Sequence, residues 1–87
     1  MEKAYKNKWL EDTEYAEKID VPASDDNEAY TEHRFNRQGG WTGLYVLRYY
    51  PSVKTGFAYR VLRTGQYVEM EERYANMLQS LIPEEVA

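Results

Sequence analysis

The chain has 87 residues, of which 43% are hydrophobic and 15% aromatic, and it carries a net charge of -4 and no cysteine. This length is typical of one small domain that buries about 60–65% of its unfolded surface. The sequence offers no disulfide, no thiolate metal site, no apolar run long enough to span a membrane and no apolar signal-peptide core in residues 1–20, so a cytoplasmic protein is expected.

The charges are segregated into three blocks along the chain. Residues 1–32 hold ten acidic and four basic side chains, residues 33–68 hold six basic and no acidic ones, and residues 69–87 hold five acidic and one basic. A basic centre is therefore flanked by two acidic segments. Asymmetry of this kind is typical of proteins that use charge to bind a partner or to pair their own segments.

Residues 1–20 are predicted to form an acidic helical segment, with the helix covering residues 3–18. Glu14 and Lys18 would form a stabilising pair one helical turn apart. Four residues lie roughly on one helical face: Tyr5, Trp9, Ala16 and Ile19. Residues 21–28 contain Pro, Ser, Asp and Asn without periodicity, which predicts a loop.

Residues 29–70 are predicted to form a basic, aromatic antiparallel meander of three or four strands. Three segments are rich in strand-forming residues: AYTEHRFN (29–36), WTGLYVLRYY (41–50) and FAYRVLR (57–63). Turn residues separate them at 37–40 and 51–56. A further turn at Thr64 and Gly65 leads into QYVEM (66–70), which fits either a last strand or the first turns of a helix.

Residues 71–82 are predicted to form a C-terminal helix that packs on the sheet. Five apolar residues recur with helical spacing before Pro83, which ends the pattern: Tyr74, Met77, Leu78, Leu81 and Ile82. The predicted fold class is α+β, with an N-terminal helix, the antiparallel meander and this C-terminal helix in a single small domain.

The stretch 39–63 combines six aromatic rings and four basic side chains without a carboxylate. Three roles are considered for these residues, in order of preference. The first is sheet core with internal charge pairs, the second is a protein-facing surface, and the third is a platform for single-stranded nucleic acid. The chain lacks the aromatic signature of RNA-recognition sheets, and its isoelectric point near 5.0 argues against constitutive DNA binding. The candidate nucleic-acid residues are Tyr45, Arg48, Tyr49, Lys54, Tyr59, Arg60 and Arg63.

The acidic N-terminal third contains the candidate protein-binding surface. Its carboxylates are most simply a solvated face, and they do not match a calcium-loop pattern because no glycine precedes Gly39. The more specific hypothesis is that these carboxylates form an anionic surface that competes with nucleic acid for a basic protein. This hypothesis rests on an analogy of size and charge with small phage and plasmid inhibitors. The candidate protein-binding residues are Trp9, Asp12, Glu14, Tyr15, Asp25, Asp26 and Glu28.

Catalysis is the least favoured class of function. His33 is the only histidine, all three serines are distant from it in sequence, and the chain has no phosphate loop, metal-ligand spacing or nucleophile motif. No catalytic residue, metal or cofactor is predicted. The sequence therefore favours a non-enzymatic regulator or inhibitor that docks on a protein partner, including a partner that itself handles nucleic acid. The alternative is a module that binds single-stranded nucleic acid through its sheet.

Overall fold

The computed structural model describes residues 11–37 and 43–86, which form a five-stranded antiparallel sheet and one helix. The elements are β1 (Thr13–Val21), β2 (Tyr30–Arg37), β3 (Gly43–Tyr49), β4 (Phe57–Val61), β5 (Tyr67–Glu69) and α1 (Glu72–Gln79). The strand order β1-β2-β3-β4-β5 follows the chain, so each strand pairs with its sequence neighbours. The predicted meander is confirmed as antiparallel. Residues 29–70 contribute four strands to it, and β1, from the segment predicted to be helical, makes the sheet five-stranded.

The predicted N-terminal helix is wrong over the described residues 13–18. Residues that were assigned to it form β1, which pairs with β2 from Thr13 to Val21. The pairing register shifts between Tyr15 and Glu17, so Ala16 is an extra residue in the strand. This bulge puts Tyr15 and Ile19 on opposite sheet faces and hides the alternation expected of a strand. Residues 1–10 of the predicted helix, including Trp9, lie outside the described residues.

The predictions for the next three strands are confirmed over the described residues. Tyr45 pairs with Phe35 on one side and with Arg60 on the other, and Val46 pairs with Arg34 and Tyr59. Alternate residues of β3 therefore point to opposite faces, as a strand requires. The predicted turn at 37–40 lies largely outside the described residues, as do the first two residues of the segment 41–50.

Residues 66–70, which could have been either strand or helix, contain the short strand β5. The turn before it is closed by two backbone bonds, from Gly65 to the Leu62 carbonyl at 2.8 Å and from Leu62 to the Gln66 carbonyl at 2.9 Å. Gly65 has a φ of 90°, a conformation that glycine adopts without the steric cost that a Cβ atom imposes. The turn thus returns the chain along β4 before α1 begins.

Helix α1 covers one face of the sheet by packing against β3 and β4. Leu78 is fully buried, as predicted from the apolar spacing, and it belongs to one buried cluster with Phe35, Tyr45, Leu47, Ala58 and Ala75. The helix ends at Gln79, four residues before Pro83, and Leu81 is only half-buried in the turn that follows. We call this covered side the helix face.

The opposite side of the sheet carries charged and aromatic side chains, and we call it the cage face. Its central residues are Glu32 on β2, Val46 and Arg48 on β3, and Tyr59 on β4. Glu32 and Val46 are buried there, at 2% and 0% exposure. Within residues 11–37 and 43–86, no helix is long and apolar enough to cross a membrane.

Candidate functional site

A single arginine organises the rings of the cage face. Arg48 sits in the interior of β3, and its guanidinium carbon lies 4.3 Å from the ring centroid of Tyr30, 4.9 Å from that of Tyr67 and 5.2 Å from that of Tyr59. These rings come from β2, β5 and β4, the strands on both sides of β3. Cation–π attraction therefore links four of the five strands through one side chain.

The charge of Arg48 is balanced by Glu32. Oε1 of Glu32 accepts hydrogen bonds from Nη2 of Arg48 at 2.8 Å and from Nε at 3.1 Å. Oε2 accepts from Nε of Arg34 at 3.0 Å, and Arg34 also lies 3.8 Å from a carboxylate oxygen of Glu17. Burying a charged carboxylate is costly unless it is paired and hydrogen-bonded, and the two guanidinium groups meet this condition for Glu32.

The pKa values of both arginines reflect this pairing. Burial acts to lower the pKa of Arg48, but its hydrogen bonds to Tyr50 and Glu32 outweigh burial and raise the pKa above its usual value. The hydrogen bond to Glu32 is the main cause that raises the pKa of Arg34. Both cations are therefore fixed in the charged form and already engaged by protein groups.

Two loops meet at one end of the sheet, residues 22–29 after β1 and residues 50–56 after β3, and we call this region the loop end. Ser24 and Asn27 exchange backbone hydrogen bonds of 2.8 and 3.3 Å, which makes a tight turn with Asp25 and Asp26 at its tip. Oγ of Ser52 donates to a carboxylate oxygen of Glu28 at 2.8 Å. The second contact ties the two loops to each other.

The loop end contains two adjoining clefts. The larger has a volume of about 460 Å³ and is lined by Asp20, Val21, Pro22, Ala29, Tyr30, Thr31, Tyr49, Tyr50 and Pro51. The smaller has a volume of about 320 Å³ and is lined by Val21, Pro22, Ser24, Asn27, Glu28, Tyr30, Arg48 and Tyr50. Val21, Pro22, Tyr30 and Tyr50 border both clefts. Volumes of this size suit a ligand or a short peptide segment.

Arg48 connects the cage face to the loop end. Besides lying against the Tyr30 ring, it donates from Nη1 to the Tyr50 hydroxyl at 3.3 Å. The rings of Tyr30 and Tyr50 are tilted against each other at 5.4 Å between centroids, and Tyr50 meets Phe57 edge-on at 6.0 Å. The two rings shared by the clefts are therefore held by contacts from the sheet.

The rim of the clefts is acidic. Asp20 lines the larger cleft and Glu28 the smaller, while Asp25 and Asp26 are exposed at the tip of the adjoining turn. Lys54 is exposed in loop 50–56 and offsets one of these charges. Arg48 contributes to the smaller cleft with its charge already paired. The loop end is thus set up to attract a cation rather than a phosphate.

His33 is part of the packing of the sheet. It is 5% exposed, its Nδ1 forms a hydrogen bond of 3.1 Å with the Tyr15 hydroxyl, and its ring meets Tyr49 edge-on. Burial is the main cause that lowers its pKa, with Lys18 the second cause. Among residues 11–37 and 43–86, no group of three or more His, Asp or Glu side chains is placed to hold a metal ion.

The predicted protein-binding residues are divided between the two ends of the sheet. Asp25, Asp26 and Glu28 lie together at the loop end. Glu14 lies near the start of β1, about 20 Å from Val21, because the two residues pair with Asn36 and Tyr30, six strand rises of about 3.3 Å apart on β2. Asp12 precedes that strand, Tyr15 packs against Phe35 and His33, and Trp9 lies outside the described residues.

The predicted nucleic-acid residues do not share one surface. Arg48 and Tyr59 belong to the cage face. Tyr45, Tyr49 and Arg60 alternate with them and point to the helix face, where Tyr45 is buried and Tyr49 half-buried. The other two lie in exposed loops at opposite ends of the sheet: Lys54 after β3 and Arg63 after β4.

Sequence reasoning missed Tyr30, Tyr50, Pro22 and Pro51 as members of one site. The signal was a proline and tyrosine in each of the two loop sequences. VPASDDNEAY (21–30) runs from Pro22 to Tyr30, and YYPSVKTG (49–56) has two tyrosines directly before Pro51. In an antiparallel meander these loops lie at the same end of the sheet, provided that the residues before Pro22 form a strand. Because residues 3–18 were predicted to be helical, the sequence did not indicate that the two loops meet.

Family models, curated proteins and solved structures were compared with this chain, and no match was found among them.

Proposed function

We propose that this protein is a non-enzymatic binding protein, a small cytoplasmic regulator or inhibitor that docks on a protein partner through its loop end. The observation that carries this proposal is the pair of adjoining clefts that share the rings of Tyr30 and Tyr50. Tyrosine is enriched among residues that dominate binding energy in protein interfaces, because a rigid ring offers a large contact area with little loss of conformational freedom.

The fixed position of the shared rings supports docking without rearrangement. Tyr50 is held by Arg48 and packs against Tyr30 and Phe57. Loops 22–29 and 50–56 are tied together by the contact between Ser52 and Glu28. A surface that is ordered before binding loses less side-chain entropy on association, which strengthens binding for the same contacts.

The charge of the loop end supports a basic partner. A partner that itself handles nucleic acid commonly presents a basic surface, and the carboxylates of Asp20, Asp25, Asp26 and Glu28 would complement it. This keeps the proposal of an inhibitor that occupies a nucleic-acid site, and it moves the docking surface from the whole N-terminal third to the loop end.

A single-stranded nucleic acid on the cage face is the second candidate. The rings of Phe57, Tyr59 and Tyr67 lie on that side of the sheet, and rings are stacking platforms for bases. Arg34 and Arg48, which would contact phosphates, are already engaged by Glu32. Releasing them would leave that buried carboxylate with fewer partners, so this candidate ranks second.

Photo-crosslinking in the native host tests the docking surface. A photoreactive residue replaces Asn27 at the smaller cleft, and the matched control replaces Gln79, an exposed residue on α1. We expect a discrete protein adduct from position 27 and none from position 79. An equal adduct from both positions would contradict docking at the loop end, and an adduct removed by nuclease would favour the second candidate.

A further inference from the structure

We infer that the occupant of the loop-end clefts is an extended, proline-containing, basic segment of the partner protein. This inference rests on the proposed function and deepens it, because it gives the chemistry of the segment that binds. It is carried by two properties of the same surface: walls built from tyrosine and proline, and a rim of carboxylates.

The walls suit a polyproline-type segment. Pro22 and Tyr30 border both clefts, and Pro51 and Tyr49 complete the larger one. Grooves lined by aromatic rings bind proline-rich segments because the polyproline II helix is already extended and loses little entropy on binding. Its flat, apolar pyrrolidine rings can lie against tyrosine rings without leaving a hydrogen-bond donor unpaired.

The two-cleft arrangement suits a repeating ligand. The two clefts share four lining residues, and two of these, Tyr30 and Tyr50, are in mutual contact. A polyproline II helix has three residues per turn and rises about 3.1 Å per residue, so successive turns can present an apolar pair to each neighbouring cleft. The shared rings would lie between the two pairs.

The rim defines the charge of the segment. Asp20 belongs to the larger cleft and Glu28 to the smaller, and the turn that carries Asp25 and Asp26 lines the smaller cleft with Ser24 and Asn27. Arginine between prolines would meet these carboxylates and could also lie over a tyrosine ring. A segment with acidic residues at those positions would be repelled.

A titration with labelled peptides tests the inference on the purified protein. The probe is a peptide of repeated Pro-Pro-Arg triplets. Repeated Ala-Ala-Arg keeps its charge without proline, repeated Pro-Pro-Glu keeps proline with the opposite charge, and oligothymidylate represents nucleic acid. We expect saturable binding of the first probe, with at least about tenfold weaker binding of each of the others, which corresponds to about 1.4 kcal/mol.

Four variants locate the binding. Tyr50→Ala should weaken binding of the Pro-Pro-Arg peptide at least about tenfold, as expected for a central ring. Pro51→Ala changes an exposed wall residue without risk to the core and should also weaken it. Asp25→Asn with Asp26→Asn should reduce affinity most at low salt. The matched control is Glu84→Gln with Glu85→Gln, an exposed pair that lines neither cleft and should leave binding unchanged.

Several results would overturn the inference. Equal affinity for the Ala-Ala-Arg peptide would show that charge alone drives binding, and equal affinity for Pro-Pro-Glu would remove the role of the rim. Tighter binding of oligothymidylate, or no saturable binding of the Pro-Pro-Arg peptide, would also overturn it. If a partner crosslinks through position 27 while the peptide does not bind, the inference fails and the docking proposal stands. If the peptide binds while no partner crosslinks, the docking proposal fails by itself.

Discussion

Nη2 of Arg48 on β3 lies 2.8 Å from Oε1 of Glu32 on β2, and the Glu32 side chain there is only 3% exposed. This contact joins the sheet to the clefts, since the same guanidinium group also lies over the Tyr30 ring and donates to the Tyr50 hydroxyl. Because a buried carboxylate without its partner is costly, the pair offers the first test of the structure.

Arg48→Met should lower the free energy of unfolding by about 3–5 kcal/mol, because it leaves Glu32 buried with Arg34 as its remaining cationic partner. Chemical denaturation measures the loss. Arg73→Met is the matched control, since Arg73 pairs with the exposed Glu71, and it should cost at most about 1 kcal/mol. Equal losses in the two variants would contradict the buried pair.

Gly56→Ala should destabilise the protein by about 1–3 kcal/mol through overpacking. A Cβ atom at this position would lie 2.9 Å from Cε1 of Tyr49 and 3.0 Å from Cδ1 of Leu47. Gly65→Ala is the comparison for backbone strain without overpacking. A Cβ atom at position 65 would have no heavy atom within 4 Å, but the φ of +90° would strain an alanine there. Thermal melts should show losses in both, with a changed near-ultraviolet tyrosine signal for Gly56→Ala.

Leu78→Ala should lower the free energy of unfolding by about 2–4 kcal/mol, since the side chain is fully buried between α1 and the sheet. Leu81 is half-buried, so Leu81→Ala should cost about 1 kcal/mol, less than the sequence alone would suggest. Denaturant midpoints compare the two. A loss below about 0.5 kcal/mol for Leu78→Ala would contradict the burial of this side chain between α1 and the sheet.

His33 should make stability depend on pH below neutrality. Burial lowers its pKa in the folded protein below the ordinary value of 6.5, so the unfolded chain binds a proton more readily. Its stabilising contribution is complete above pH 6.5 and is lost as the pH falls through the folded pKa. Melting temperatures from pH 7 to pH 5 should fall less steeply for His33→Gln. No enzymatic activity is expected to depend on this residue.

Binding of oligonucleotide should be weaker than micromolar at physiological salt. Arg34 and Arg48 are engaged by Glu32, and the two loops of the loop end carry three carboxylates against one lysine. Fluorescence titrations over a range of salt concentrations measure this affinity. If a tight complex forms instead, Arg48→Met should flatten the dependence of log affinity on log salt by about 0.7 for a single strand. Micromolar binding would promote the second candidate.

The sequence predicted the parts of the fold in which local preference and pairing agree. Residues of β2, β3 and β4 alternate without interruption, and the Gly65 turn and the apolar spacing around Leu78 also follow simple rules. In β1, the extra residue Ala16 breaks the alternation, and Glu, Ala and Lys favour a helix locally. Pairing with β2 overrides that preference, which a local pattern cannot show.

The candidate site was harder to predict because its residues are brought together by the register between strands. Val21 pairs with Tyr30, and Thr31 pairs with Tyr49, which places the two loops side by side. Alternation along β3 alone is enough to place Tyr45 and Arg48 on opposite faces. It could not show that Arg60 would face the same side as Tyr45, since that depends on the β3–β4 register.

The bulge at Ala16 also determines how β1 meets another molecule. β1 is the outer strand of the sheet, and its outward backbone groups could in principle recruit a sixth strand. The extra residue disrupts the regular spacing of those groups, and exposed charged side chains flank it at Glu14, Glu17 and Lys18. Self-templated growth of the sheet is therefore disfavoured at its longest strand. At high protein concentration, the β1 edge is therefore poorly suited to pair with a second copy of the chain.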